Sequence, residues 1–162
     1  MRASFEYEGP IAAAIQGLKY QGRDDLLAPI ARRWLLEWLP ASAELGPSLV
    51  VPVPLHPRRL AKRGFDQAWL LARAVAKATG FDARARALRR IRATPPQVGL
   101  GRAAREANLR GAFRADALLA GRDILLVDDV LTTGATLRAC AEALVEAGAR
   151  SVSALVVARA QP

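Results

Sequence analysis

Apolar residues along this 162-residue chain change their spacing several times, and each change predicts an element. Residues 1–39 read as mostly helical. Ile11, Ile15 and Leu18 recur at helical spacing, Gly22 breaks the pattern, and it resumes from Leu26 to Leu39. Pro40 and a small-residue linker reaching Pro47 end that section. Leu49-Val50-Val51-Pro52-Val53 is a short β-rich run, read as a strand although Pro52 removes a ladder donor. A helix is expected over residues 65–79, with Phe65, Trp69, Ala72, Val75 and Ala76 among its apolar positions and Gly80 as its stop. A short extended segment near residues 83–88 precedes residues 91–110, which read as a long loop or frayed hairpin.

The last forty residues carry the clearest pattern. Asp123-Ile124-Leu125-Leu126-Val127 is almost continuously apolar, as in a strand buried on both faces of a parallel sheet. Leu137, Cys140, Ala141, Leu144 and Val145 then form one helical stripe, Gly148 caps it, and residues 151–158 are a second β-branched run. Strand, helix and strand in this order predict a βαβ unit. The expected fold class is α/β, an open, mainly parallel sheet flanked by helices. One domain is expected over residues 1–162, with a small N-terminal helical hood over 1–47. An α/β core over 48–162 completes it, carrying a flexible loop at about 91–110.

Composition narrows the class. The chain is 52% apolar, which argues against disorder, and no apolar run reaches the ~20 residues of a membrane-spanning helix. The first residues, MRASFEYEG, lack the apolar core of a secretory signal, so a soluble cytoplasmic protein without membrane insertion is expected. Cys140 is the only cysteine, which excludes an intrachain disulfide and a cysteine-built zinc site; it reads as a buried apolar residue. His56 is the only histidine. The net charge of +9 is concentrated: residues 84–114 hold nine arginines against Glu106 alone. That stretch reads either as a solvated basic face or as a surface for phosphate-bearing partners, and charge does not separate a diphosphate from a nucleic-acid backbone.

The candidate chemistry lies in ILLVDDVLTTGAT, residues 124–136. A segment that leaves the carboxyl end of a parallel strand and opens a helix stands where open α/β sheets bind ligands. The helix start offers unpaired N–H groups and the positive end of its dipole, an anion site. Gly134 lets a phosphate approach the backbone, Ala135 leaves room, and Thr132, Thr133 and Thr136 add hydroxyls. Asp128 and Asp129 would repel a phosphate, but they suit ribose 2′- and 3′-hydroxyls one sugar-width away. The combination describes a pentose-5-phosphate site. No G-x-x-x-x-G-K-[ST] and no G-x-G-x-x-G after a strand is present, which argues against nucleoside-triphosphatase and dinucleotide folds.

This segment resembles the phosphoribosyl diphosphate (PRPP) signature of type I phosphoribosyltransferases. More narrowly, the chain resembles the ComF family of competence-associated proteins. The supporting residues are Leu18-Lys19-Tyr20-x-Gly22, Val51-Pro52-Val53-Pro54-Leu55, Arg59, Arg63-Gly64-Phe65-Asp66-Gln67, Thr94, Gln97, Arg105, Asn108 and Gly111-Ala112-Phe113. Family members commonly begin with a four-cysteine zinc module; this chain has none, the module being either lost or outside this sequence, so zinc is not expected within these residues. Asp66 stands where asparagine is more usual.

The resemblance implies transfer of a 5-phosphoribosyl group from PRPP to a nitrogen acceptor, with Mg²⁺ carried by the diphosphate and no metal bound directly by the protein. It implies catalytic roles for Asp128, Asp129 and Arg105, and PRPP binding by Asp128, Asp129, Thr132, Thr133, Gly134, Ala135 and Thr136. Arg58, Arg59 and Arg63 would meet the diphosphate. Gln97, Arg102 and Arg105 would lie on the flexible loop. Lys19 and Tyr20 would contribute to an acceptor pocket under the hood, a place in the apolar core being the equal alternative for Tyr20. Natural transformation is the implied context. Two alternatives are a non-catalytic competence factor that binds single-stranded DNA or a helicase partner, and a regulator that senses PRPP or a nucleoside 5′-phosphate. Association with a second copy is also open.

Overall fold

The computed structural model describes residues 1–42, 46, 49–92 and 108–161, and for residues 24, 41, 42, 58 and 62 the backbone alone. Its centre is a four-stranded sheet in the order β1-β6-β5-β2, all parallel. The strands are β1 (Arg2–Glu6), β2 (Leu49–Pro52), β5 (Asp123–Leu131) and β6 (Ser151–Arg159). A separate antiparallel pair joins β3 (Leu88–Arg90) to β4 (Phe113–Ala115).

Helices cover both faces, as an all-parallel sheet requires. On one face α5 (Ala135–Glu146) and the β3–β4 pair bury Leu49, Val51, Ile124, Leu126 and Val156, together with Cys140, which is fully buried. On the other, α1 (Gly9–Tyr20), α2 (Leu27–Ser42) and α4 (Gln67–Thr79) bury Val50, Leu125, Val127, Leu155 and Val157. Along Leu49–Val51, Ile124–Val127 and Leu155–Val157 alternate residues divide between the two cores, the period-2 signature of a strand. Past these the sides change, with Val130 and Ala158 in the second core and Leu131 in the first.

Three sequence expectations change. Residues 2–6 form a strand, not a helix: β1 pairs with the outer edge of β6, and Tyr7 N–H extends the ladder to Arg159 C=O at 2.7 Å. Unpaired, that edge of β6 would present a row of open backbone groups. Next, α2 runs two residues past Pro40. A proline there removes only the bond to the carbonyl four residues back, and that residue, Leu36, is exposed to water. Third, β5 continues four residues beyond Val127 and takes in both acids.

The remaining boundaries follow local chemistry. Asp66 is the N-cap of α4, accepting from Trp69 N–H at 3.1 Å, and Gly80, with φ 76°, stops that helix. Pro52 is tolerated because β2 is a sheet edge. Val50 N–H points outward to Asp82 C=O, so the position two residues on points the same way and needs no donor for β5. Trp34, fully buried on α2, satisfies its indole N–H on Val156 C=O at 3.2 Å.

Candidate functional site

Because β2 and β5 are parallel, the segments that follow them leave from the same end of the sheet. Val53 N–H still bonds Val127 C=O at 2.9 Å, and the chain then passes through residues 54–56 into α3 (Pro57–Arg63). After β5, Thr132 and Thr133 turn into Gly134, which is the N-cap of α5 in the left-handed region at φ 76°. Only glycine takes that conformation cheaply. The carboxyl ends of β2 and β5, the start of α3 and the open first turn of α5 therefore share one edge.

The two acids sit on β5 itself, so strand alternation sends them to opposite faces. Asp129 joins Leu125 and Val127 on the side of α1 and α4. It is 6% exposed, and both its oxygens are engaged: Oδ1 by Lys19 Nζ at 2.9 Å, Oδ2 by Gln67 Nε2 at 2.7 Å. Asp128 takes the side of Ile124 and Leu126, is partly buried, and accepts Asp129 N–H at 2.8 Å on Oδ1. Burial first, and the neighbouring Asp129 second, raise the Asp128 carboxyl to about 7, with Lys19 acting against them. Burial pushes the Lys19 ammonium down, but Asp129 and, more weakly, Asp128 outweigh it and leave it above its ordinary value.

At the turn, Thr132 is exposed, Thr133 and Thr136 are half-buried, and Ala135 is buried. Thr133 Oγ1 accepts Ala135 N–H at 3.4 Å, and Arg138, one turn into α5, donates to Thr133 C=O at 3.1 Å. The first N–H groups of α5 have no intrahelical acceptors and face this turn. On the β2 side, Arg59 is exposed and Arg63 donates to Gln67 Oε1. Arg90 lies over the Phe113 ring at 5.5 Å; burial, then the nearby Arg59, lowers its pKa. The structure thus gathers Asp128, Asp129, residues 132–136, Arg59 and Arg63 at one edge. Of Arg58 only the backbone is described, and Gln97, Arg102 and Arg105 lie outside the described residues. Tyr20 is 79% exposed at the end of α1.

Gln67 and Arg90 enter the site without a role assigned to them from the sequence, where Gln67 only supports the resemblance and Arg90 only counts in the basic 84–114 stretch. Arg138 is not singled out there at all. Gln67 is the first residue of α4 and Arg138 lies four residues after Gly134, a spacing that returns a helical side chain to its own N-terminus. Arg90 is carried by the antiparallel pair, which no local period marks.

Over residues 61–161 the chain matches the phosphoribosyl transferase domain. It belongs to that family. Among curated proteins it is 35% identical to "DNA utilization protein YhgH" of Salmonella typhi over 157 residues, 95% of this chain and 69% of that protein. It is 30% identical to "Competence protein F" of Haemophilus influenzae, covering 95% of this chain and 70% of that one. These relatives place this phosphoribosyltransferase-type domain in the ComF family of competence and DNA-utilization proteins. The fold recurs in the glutamine PRPP amidotransferase of B. subtilis complexed with ADP and GMP, at a TM-score of 0.56 and 23% identity. That likeness covers 87% of this chain and 30% of the amidotransferase. Among the described residues, no helix of this phosphoribosyltransferase-type domain is long and apolar enough to cross a membrane.

Proposed function

We propose that this ComF-family domain binds PRPP with Mg²⁺ and transfers its 5-phosphoribosyl group to a nitrogen acceptor in the handling of incoming DNA. The observation that carries the reading is the open amino end of α5 directly after an acidic pair, facing the cationic start of α3 across the carboxyl edge of the sheet. The 5′-phosphate takes the N–H groups and hydroxyls of residues 132–136. Asp128 and Asp129 receive the ribose hydroxyls, and Arg58, Arg59 and Arg63 receive the diphosphate.

The transfer breaks the bond between ribose C1 and the diphosphate oxygen and forms one from C1 to the acceptor nitrogen. The electron pair of the broken bond leaves with the diphosphate, and the acceptor nitrogen gives up a proton. Charge neutralisation at the leaving group is the protein's main task, and Arg105 is proposed to assist. Among the described residues no group of three His, Cys, Asp or Glu side chains forms a metal cage. In this reading Mg²⁺ arrives on the diphosphate, where it would neutralise developing charge.

Calorimetric titration with PRPP and Mg²⁺, followed by a crystal of the complex, tests this. Binding with the 5′-phosphate on residues 132–136 is expected; absence of binding at millimolar PRPP overturns the reading. Diphosphate release with a panel of bases and amines then separates an enzyme from a sensor of the same ligand.

A second reading has one observation in its favour. Arg89 stands directly opposite Arg114 across β3 and β4, both exposed, a like-charge pair suited to a polyanion such as single-stranded DNA. Binding of labelled single-stranded DNA across a salt series tests it, and a flat salt response would remove it.

A further inference from the structure

Asp129 is held from two elements at once, Lys19 on α1 and Gln67 at the start of α4. Gln67 is itself buried, and its Oε1 accepts a hydrogen bond from Arg63 at the end of α3. A primary amide donates and accepts through two atoms fixed in one plane. Gln67 therefore ties a guanidinium of the diphosphate segment to a carboxylate of the sugar segment through one small rigid group. The two partners are far apart in function but share a single side chain.

We propose that Gln67 is a positioning residue that couples the diphosphate side of the site to its ribose side; this rests on the phosphoribosyl reading above. A diphosphate that draws Arg63 toward itself removes the donor from Gln67 Oε1. A buried amide oxygen does not stay unpaired without cost, so the amide shifts or turns, and its grip on Asp129 through Nε2 changes with it. Asp129 has lone pairs beyond the two bonds it makes, and a ribose hydroxyl is a donor that fills them. Events at the two ends are then linked, and the linkage is reciprocal. A ligand with both groups is held better than its separate halves suggest. Lys19 has a different part, keeping the buried carboxylate compensated while Gln67 moves.

The test is calorimetric titration of PRPP, ribose 5-phosphate and inorganic diphosphate, each with Mg²⁺, into the wild-type chain and two variants. Gln67→Met keeps the volume and removes both bonds. Gln67→Asn keeps a buried amide one methylene too short to span both partners, and it serves where the Met variant folds poorly. Thermal melting is recorded in parallel. In the variants PRPP is expected to bind about tenfold more weakly, while ribose 5-phosphate and diphosphate each stay within about twofold. Unchanged PRPP affinity overturns the coupling. So does a parallel loss for all three ligands that tracks the melting temperature, the mark of a structural role only. A wild-type chain that binds none of the three overturns the phosphoribosyl reading itself, and the coupling with it.

Discussion

Asp128 and Asp129 are neighbours of identical chemistry with opposite demands on the fold. The Asp128 carboxyl is raised from 3.8 to about 7 by burial and by Asp129. Between those values the folded chain keeps a proton that the unfolded chain has released, so stability falls as pH rises through that window. Asp128→Asn removes the charge and can still accept Asp129 N–H. Its melting temperature should exceed the wild-type value at pH 8, with the gap closing toward pH 4; equal melting curves at pH 8 would contradict the burial of this carboxyl. Asp129→Asn should do the reverse. It strips the partner from Lys19, whose side chain is 20% exposed, and is expected to cost about 2 kcal/mol in denaturant unfolding. PRPP binding should weaken in both variants, but only the second loses it together with stability.

At the scale of elements, the βαβ unit of β5, α5 and β6 is legible in the sequence because each part repeats one period long enough to be unambiguous. The far end of β5 is not. Its apolar run stops at Asp128, and a strand that carries polar groups to a ligand edge looks, residue by residue, like a turn. The strand β1 is hidden for another reason: RASFE has a single large apolar residue, Phe5, and only the open edge of β6 gives it a partner. The Lys19–Asp129 and Gln67–Asp129 bonds join residues 110 and 62 positions apart, beyond the reach of any local pattern. The antiparallel pair β3–β4 makes its own prediction. Arg89 and Arg114 repel across it, so Arg114→Glu should stabilise the chain by about 0.5 kcal/mol in low salt. That gain should shrink in concentrated salt as screening removes both the repulsion and the new attraction.

At the scale of the whole molecule, the N-terminal segment does two jobs from opposite ends. Its first residues close an edge of the sheet, and its first helix delivers Lys19 to the acid on β5. The edge it closes is apolar: Leu155, Val156, Val157 and Ala158 are buried and lie beside Arg2–Glu6. Removing residues 1–6 would leave that ladder open along its length and take Phe5 from the core beneath α1 and α2. Open, apolar strand edges pair with other chains. The truncated chain is therefore expected to run larger than the full chain in light scattering at equal concentration, and to melt lower. Its PRPP affinity should also fall, because α1 loses the anchor that fixes Lys19 over Asp129. A truncated chain of unchanged size and melting temperature would mean that α1 and α2 alone secure this edge. Unchanged PRPP binding in a destabilised truncation would instead separate the two jobs, leaving Lys19 held by its ion pair and by α2 packing.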